Sequence, residues 1–230
     1  MSEARKTFSV LSKGILNLIR SADLYQVHLL AKRAGEEPDK TLVKSIMGGN
    51  KISGLNFSSC FYKREDLDFL ETSGQMKEIG QQILLATHTA LELYLVDKFK
   101  EYYRYKTKGC DENIINESIK GFSFRSLDDI RKTYSKTLDI HLPSFDIEFF
   151  TDEKSTFQPK TSWEALILIS RARNEIAHTG QTITLKINCL LDIWHPFEFA
   201  RRWVEQFDPS ADRYIYQGSD KWLKNHYLSN

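Results

Sequence analysis

Across residues 8–33 the apolar side chains Val10, Leu11, Ile15, Leu18, Ile19 and Ala22 return every three or four positions, and Leu29 and Leu30 extend the series. That period puts them on one side of a helix, and Gly35 followed by Pro38 supplies its stop. A second, short helix is expected over residues 39–47, ended by Gly48-Gly49-Asn50, with residues 51–60 as loop. A long helical region spans residues 63–105 with a break near Ser73-Gly74. Its strongest part, residues 79–103, is apolar at so many positions, Ile83, Leu84, Leu91, Leu95 and Phe99 among them, that it must be covered on more than one side. Residues 111–120 read as another short helix, and Ser126 with Asp129 as a capped helix start. Residues 140–159, aromatic and acidic with two prolines, read as ordered loop. Thr161 or Ser162 caps the next helix, which runs through Leu166, Ile167, Leu168 and Ile169 to a stop at Gly180. A last helix covers residues 187–207, where Pro196 is expected to kink or divide it. The tail, residues 209–230, carries Tyr214, Tyr216, Trp222 and Tyr227, so packing against the rest is expected. The pattern is almost entirely helical.

Composition narrows the picture. A chain of 230 residues with 41% hydrophobic content suits one large domain, or a core with an extension. No apolar run approaches the roughly 18 residues of a membrane span. Residues 1–6 are polar and charged, and no secretion signal is expected. Cys60, Cys110 and Cys189 are too few and too scattered for a disulfide framework or a zinc site, so reduced thiols in a cytoplasm are the natural reading. With a net charge of +1, any nucleic-acid site has to rely on local positive charge, and near-neutrality permits self-association.

The densest polar chemistry is the string Arg171-Ala172-Arg173-Asn174-Glu175-Ile176-Ala177-His178-Thr179-Gly180 at the end of an otherwise apolar helix. Asn174 and His178 are one turn apart and share a face, with Trp163, Ile167 and Ser170 near it. Arg173 lies about 140° around the axis from His178. One helix therefore does not aim both at one spot; the long Arg stem can curl part of the way, and a second copy across a two-fold axis is expected to supply the rest. The residue types suit RNA cleavage. The 2′-hydroxyl of RNA is its own nucleophile, a histidine moves a proton near neutral pH, and an arginine binds phosphate bidentately and stabilises its developing charge. Asn174 can orient either. The structural alternative is a cation that merely complements the helix dipole at His178, with Arg173 paired to Glu175.

In this string, Arg173-Asn174-Glu175-Ile176-Ala177-His178, the chain resembles the HEPN superfamily of helical, RNA-associated domains. Their signature is an Arg, commonly followed by a polar residue, and a His four to six positions on. The helix around Ala90-Leu91-Glu92 resembles the family's first core helix, and the likeness covers residues 79–207. The resemblance implies an all-α, HEPN-like helical bundle (71–208); the N-terminal helical extension (1–70) and the aromatic tail (209–230), expected to pack on that core, fall outside it. It also implies a homodimer joined through the motif-bearing face, and metal-independent cleavage of RNA to a cyclic phosphate with no cofactor. Arg173 and His178 would be catalytic, with Asn174 positioning them. Many members act as toxins or antiviral effectors, which implies an antitoxin or defence-system partner. In one branch a Tyr two residues after the His is modified to silence the toxin; Gly180 stands there, which puts that control in doubt.

Other candidates carry two readings each. His88 and Glu92, one turn apart, are auxiliary groups of the cleft or a structural pair. Tyr102, Tyr103, Arg104, Tyr105, Lys106 and Lys108 form an RNA patch of aromatic and cationic groups or a solvated helix end. Arg201 and Arg202 are weaker candidates of that kind. His141 and His195, each beside a proline, suit surface or loop positions. A non-catalytic RNA-binding or protein-interaction module is the alternative to the ribonuclease, and a subunit regulated by a nucleotide in the same cleft is a third.

Overall fold

Ser2 opens the first helix by accepting a hydrogen bond from the Arg5 amide at 3.2 Å. Gly35 closes it at φ 71°, the left-handed region that favours glycine, with its N–H turned back to the Ala31 and Lys32 carbonyls. Helix α1 (Glu3–Ala34) thus begins five residues before the apolar period does. The computed structural model describes residues 2–41, 43–44, 75–147, 157–187 and 190–208. Helix α2 spans Gln75–Lys106, and the break expected at Ser73-Gly74 lies outside the described residues. Helix α3 (Glu112–Lys120) is capped by Asp111, and α4 (Leu127–Thr133) by Ser126, which accepts from the Asp129 amide. The Asp129 carboxylate accepts from the Ser123 hydroxyl at 3.2 Å. Helix α4 runs into a π turn (Tyr134–Leu138), followed by a 3-10 turn (Leu142–Ser144). Helices α5 (Ser162–Thr179) and α6 (Leu190–Phe207) complete the set, α6 passing undivided through Pro196. The architecture is all-α, with no strand among the described residues. None of the described helices is long and apolar enough to cross a membrane. Most of the short helix expected at 39–47, and the aromatic tail, lie outside the described residues.

Packing explains the order. Helix α2 is buried over about half its circumference, from Ile83, Leu84 and Ala90 round to Leu91, Leu95 and Phe99. Helices α1, α5 and α6 and the π turn all lie against it. Helix α1 presents Ala4, Phe8, Ile15, Ile19 and Ala22, which join the same hydrophobic cluster as Tyr94 and Phe207. Val10 and Leu18, part of the apolar period, are instead 73% and 52% exposed, because the buried stripe runs one position away from them. The C-terminal half of α2 ends in aromatic packing: Phe99 meets Phe122, Phe124 and Tyr134 edge-on at 5.0–5.4 Å. Residues 140–147 and 157–160 form an ordered stretch that inserts Ile140, Leu142, Ile147 and Phe157 into this core. The start of α1, the C-terminal half of α2 and the residue after α6 meet at a buried ion pair. Lys98 Nζ lies 2.8 Å from Asp208 Oδ2, the Ser2 hydroxyl donates to Asp208 Oδ2 at 2.7 Å, and the Ala4 amide donates to Glu101 at 2.9 Å.

Gly80 marks the closest approach between α2 and the chain that follows the motif helix. A Cβ there would stand 2.5 Å from both Ile187 Cγ2 and Ile193 Cδ1. Gly80→Ala is expected to lower unfolding free energy by about 1–3 kcal/mol through overpacking, although alanine favours helix by about 1 kcal/mol elsewhere. Urea denaturation checks this; equal or greater stability would refute the tight contact.

Candidate functional site

Thr161 caps α5 by accepting from the Glu164 amide at 3.1 Å. One face of the helix, Ala165, Leu166, Ile169, Ala172 and Ile176, is buried against α2 and α6. Gly180 ends it at φ 71°, its N–H donating to the Ile176 carbonyl at 2.8 Å. Helix α5 is antiparallel to α2: Lys77 reaches Gln181 at 3.4 Å, while Leu166 lines a small cavity with Leu91 and Leu95. The motif end of α5 therefore sits beside the first half of α2.

The exposed face of α5 and the start of α4 bound an open groove of about 510 Å³. Helix α5 contributes Ser170, Arg171, Asn174 and His178; α4 contributes Asp128, with Ser126 at its cap. Ile167 and Leu127 supply apolar lining. His178 is exposed and carries no hydrogen bond or ion pair among the described residues. Asn174 shares the groove, as the one-turn spacing requires. Arg173 does not line it. Its guanidinium is half-buried on the neighbouring flank, facing α2, and Nη1 donates to Asn174 Oδ1 at 2.9 Å. The fold thus brings Asn174 and His178 together, and ties Arg173 to them through the asparagine. Trp163 packs under Arg131, whose guanidinium lies 5.8 Å from the ring centre.

Glu175, in the middle of the motif, has a role that the string did not disclose. Its carboxylate accepts from the Thr182 hydroxyl and from the Ile183 and Thr184 amides, each at 2.9 Å, and from the Thr184 hydroxyl. Desolvation pushes its pKa up, but these donors, the Thr184 hydroxyl foremost, prevail and hold it at about 2. Glu175 is therefore the clasp that folds residues 182–184 back onto the helix end, and is not the partner of Arg173. The available signal was Thr182-x-Thr184 shortly after an acid at a helix terminus.

On the far side of Arg173, His88 is buried, and burial, followed by the positive charge of Arg173, lowers its pKa to about 4. Its Nδ1 lies 3.7 Å from Glu92, too long for a hydrogen bond. Burial raises the Glu92 pKa and Arg173 opposes that rise. This pair sits behind Arg173, with His88 neutral.

The aromatic and basic end of α2 is placed elsewhere. Tyr103 stacks on Phe99 at 5.9 Å, Arg104 holds Glu112 and Asn116, and Lys106 donates to the Thr137 carbonyl at 2.6 Å. Arg104 is about 24 Å along the helix from His88, at 1.5 Å per residue. These residues brace α3 and the π turn, and none of them lines the groove. Arg201 is gripped by Glu198 and Glu205, and Arg202 by Glu198. His195 is buried in α6 rather than placed on a surface or loop, because the helix continues through Pro196; His141 is exposed. No group of three metal-binding side chains occurs among the described residues. No family model, curated protein or solved structure matches the chain.

Two measurements follow from the charges. The Ile183 and Thr184 amide proton shifts are expected to titrate with a midpoint near 2, because Glu175 stays ionised there; a midpoint at the ordinary 4.5 would mean the clasp is absent. An unfolded histidine protonates near 6.5, whereas folded His88 resists until about 4. The unfolded state therefore takes up the extra proton, so this contribution is complete above pH 6.5 and is lost as pH falls toward 4. In His88→Leu the loss of Tm over that window is expected to be shallower; an unchanged slope would assign the acid sensitivity to other groups.

Proposed function

We propose that this chain is a metal-independent endoribonuclease of HEPN type, working as a homodimer whose two motif-bearing faces meet. The supporting observation is His178: an exposed histidine with no partner of its own, set in a groove beside Asn174 and the Ser170 hydroxyl. In the reaction, the RNA 2′-oxygen attacks the adjacent phosphorus and the P–O5′ bond breaks. A 2′,3′-cyclic phosphate and a 5′-hydroxyl are left. His178 takes the 2′-proton or gives one to the departing O5′. Arg173 stabilises the charge that develops on the phosphate oxygens, and Asn174 holds Arg173 through its 2.9 Å hydrogen bond. Because Arg173 and His178 lie on different flanks of α5, each scissile phosphate is served by Arg173 of one subunit and His178 of the other. A toxin or antiviral effector with an antitoxin or defence-system partner is the setting that the resemblance implies.

A non-catalytic RNA-binding module is the second reading. It is favoured by the same Arg173–Asn174 bond, which can equally be a structural restraint on the arginine. Incubation with total RNA in chelator separates the two. Cleavage is expected to persist with chelator and to fall by at least about 100-fold in Arg173→Ala and in His178→Ala. Mixing the two inactive variants is expected to restore about a quarter of the activity. Half of the dimers are then mixed, and each mixed dimer holds one intact Arg–His pair out of two. RNA bound without cleavage by the unaltered protein leaves the binding module, and no recovery on mixing places the site within one subunit.

A further inference from the structure

Arg171 is exposed, lines the groove, and makes no ion pair or hydrogen bond among the described residues. It stands at i−3 to Asn174 and i−7 to His178, so all three project along one stripe of α5, and all three line the groove. Two carboxylates are placed to quench it. Glu175, at i+4, is the ordinary helical partner of an arginine. Its oxygens are instead filled by the Thr182 and Thr184 hydroxyls and the Ile183 and Thr184 amides. Asp128, on the opposite bank, lies 3.1 Å from Arg131 and is paired there. Arg173, by contrast, is bonded to Asn174. An exposed guanidinium beside polar and hydroxyl groups, with the oxygens of its two nearest acids bonded elsewhere, is free to hold a phosphate.

We propose that Arg171 binds a backbone phosphate of a single-stranded RNA segment lying in the α4–α5 groove, and thereby seats the strand across Asn174 and His178 of the same subunit. The idea rests on the ribonuclease reading for the identity of the ligand. It assigns the two arginines of the motif different tasks: Arg173 acts on the phosphate being cut, and Arg171 grips a neighbouring one. Arg171 is thus a positioning residue, and its loss acts first on binding.

The test uses a fluorescent single-stranded oligonucleotide fully 2′-O-methylated, which has the phosphates of RNA but no 2′-hydroxyl to attack with. Affinity is measured over a salt series for the unaltered protein, Arg171→Ala, Arg171→Lys and, as a distant control, Lys120→Ala. Losing one phosphate contact lowers the slope of log affinity against log salt by about 0.7, which is about fivefold in affinity at 0.1 M. Arg171→Ala is expected to show both effects, with Arg171→Lys recovering most of the affinity and Lys120→Ala unchanged. In cleavage assays at subsaturating RNA, Arg171→Ala is expected to raise KM more than it lowers kcat. Unchanged affinity and slope in Arg171→Ala would overturn the proposal. So would an equal loss in Lys120→Ala, since the attraction would then be diffuse, or an unaltered protein that binds no oligonucleotide. If the unaltered protein binds but cuts no ordinary RNA, the ribonuclease reading fails alone, and the Arg171 arms still decide the phosphate contact.

Discussion

Helix α2 has about half its circumference to cover, and every other described helix except α3 takes its position from doing so. The hydrophobic effect sets the layout. Helix α1 lies along one side, α6 along another, and α5 runs antiparallel between the first half of α2 and the groove. Covering α2 with α5 buries Leu166, Ile169, Ala172 and Ile176, which fixes the rotation of α5 about its own axis. Once that rotation is fixed, the directions of Arg173 and His178 follow from 3.6 residues per turn. The site is therefore a by-product of core packing: rotating α5 to bring Arg173 into the groove would expose the very side chains that hold the helix down.

What the core fixes in orientation, Glu175 fixes at the helix end. A helix C-terminus is normally a place for cations, because the carbonyl ends are left without donors. Glu175 sits near that end and is electrostatically misplaced unless something neutralises it. The loop does so by turning two hydroxyls and two amides onto one carboxylate, a set of charge-assisted hydrogen bonds. The arrangement has a second consequence. By committing the Glu175 oxygens to the loop, it leaves the Arg171 guanidinium, which lines the same groove as His178, without a direct ion pair to its i+4 acid.

The helices were readable because their signals are local. Caps at Ser126 and Thr161, stops at Gly35 and Gly180, and a 3.6-residue period each involve residues within a turn or two of one another. The divergence of Arg173 from His178 was readable for the same reason. The groove was not, since its second bank, Ser126 to Asp128, comes from more than forty residues upstream. Nor was the fate of the basic cluster. Arg104 and Lys106 look like phosphate ligands in isolation, but Glu112, Asn116 and the Thr137 carbonyl consume them across sequence gaps that no periodicity reports. His195 escaped because a proline beside it suggests a helix boundary, whereas α6 carries Pro196 in its interior.

These placements bear on how the motif should be weighed. A stable domain satisfies its polar groups, and departures from that rule concentrate where binding or chemistry occurs. Among the charged side chains of the motif helix, Glu164 accepts from the Lys160 amide, Glu175 is clasped by the loop and Arg173 is bonded to Asn174. Arg171 and His178 alone hold no such partner, and they fall on one stripe facing one groove. Neither contributes packing that would account for its presence there. An arginine and a histidine two turns apart on one stripe, with no partner among the described residues, are what the proposed phosphate-bearing ligand accounts for. Arg173, on the flank toward α2, does not share that stripe, which is why the proposed reaction draws it from a second subunit.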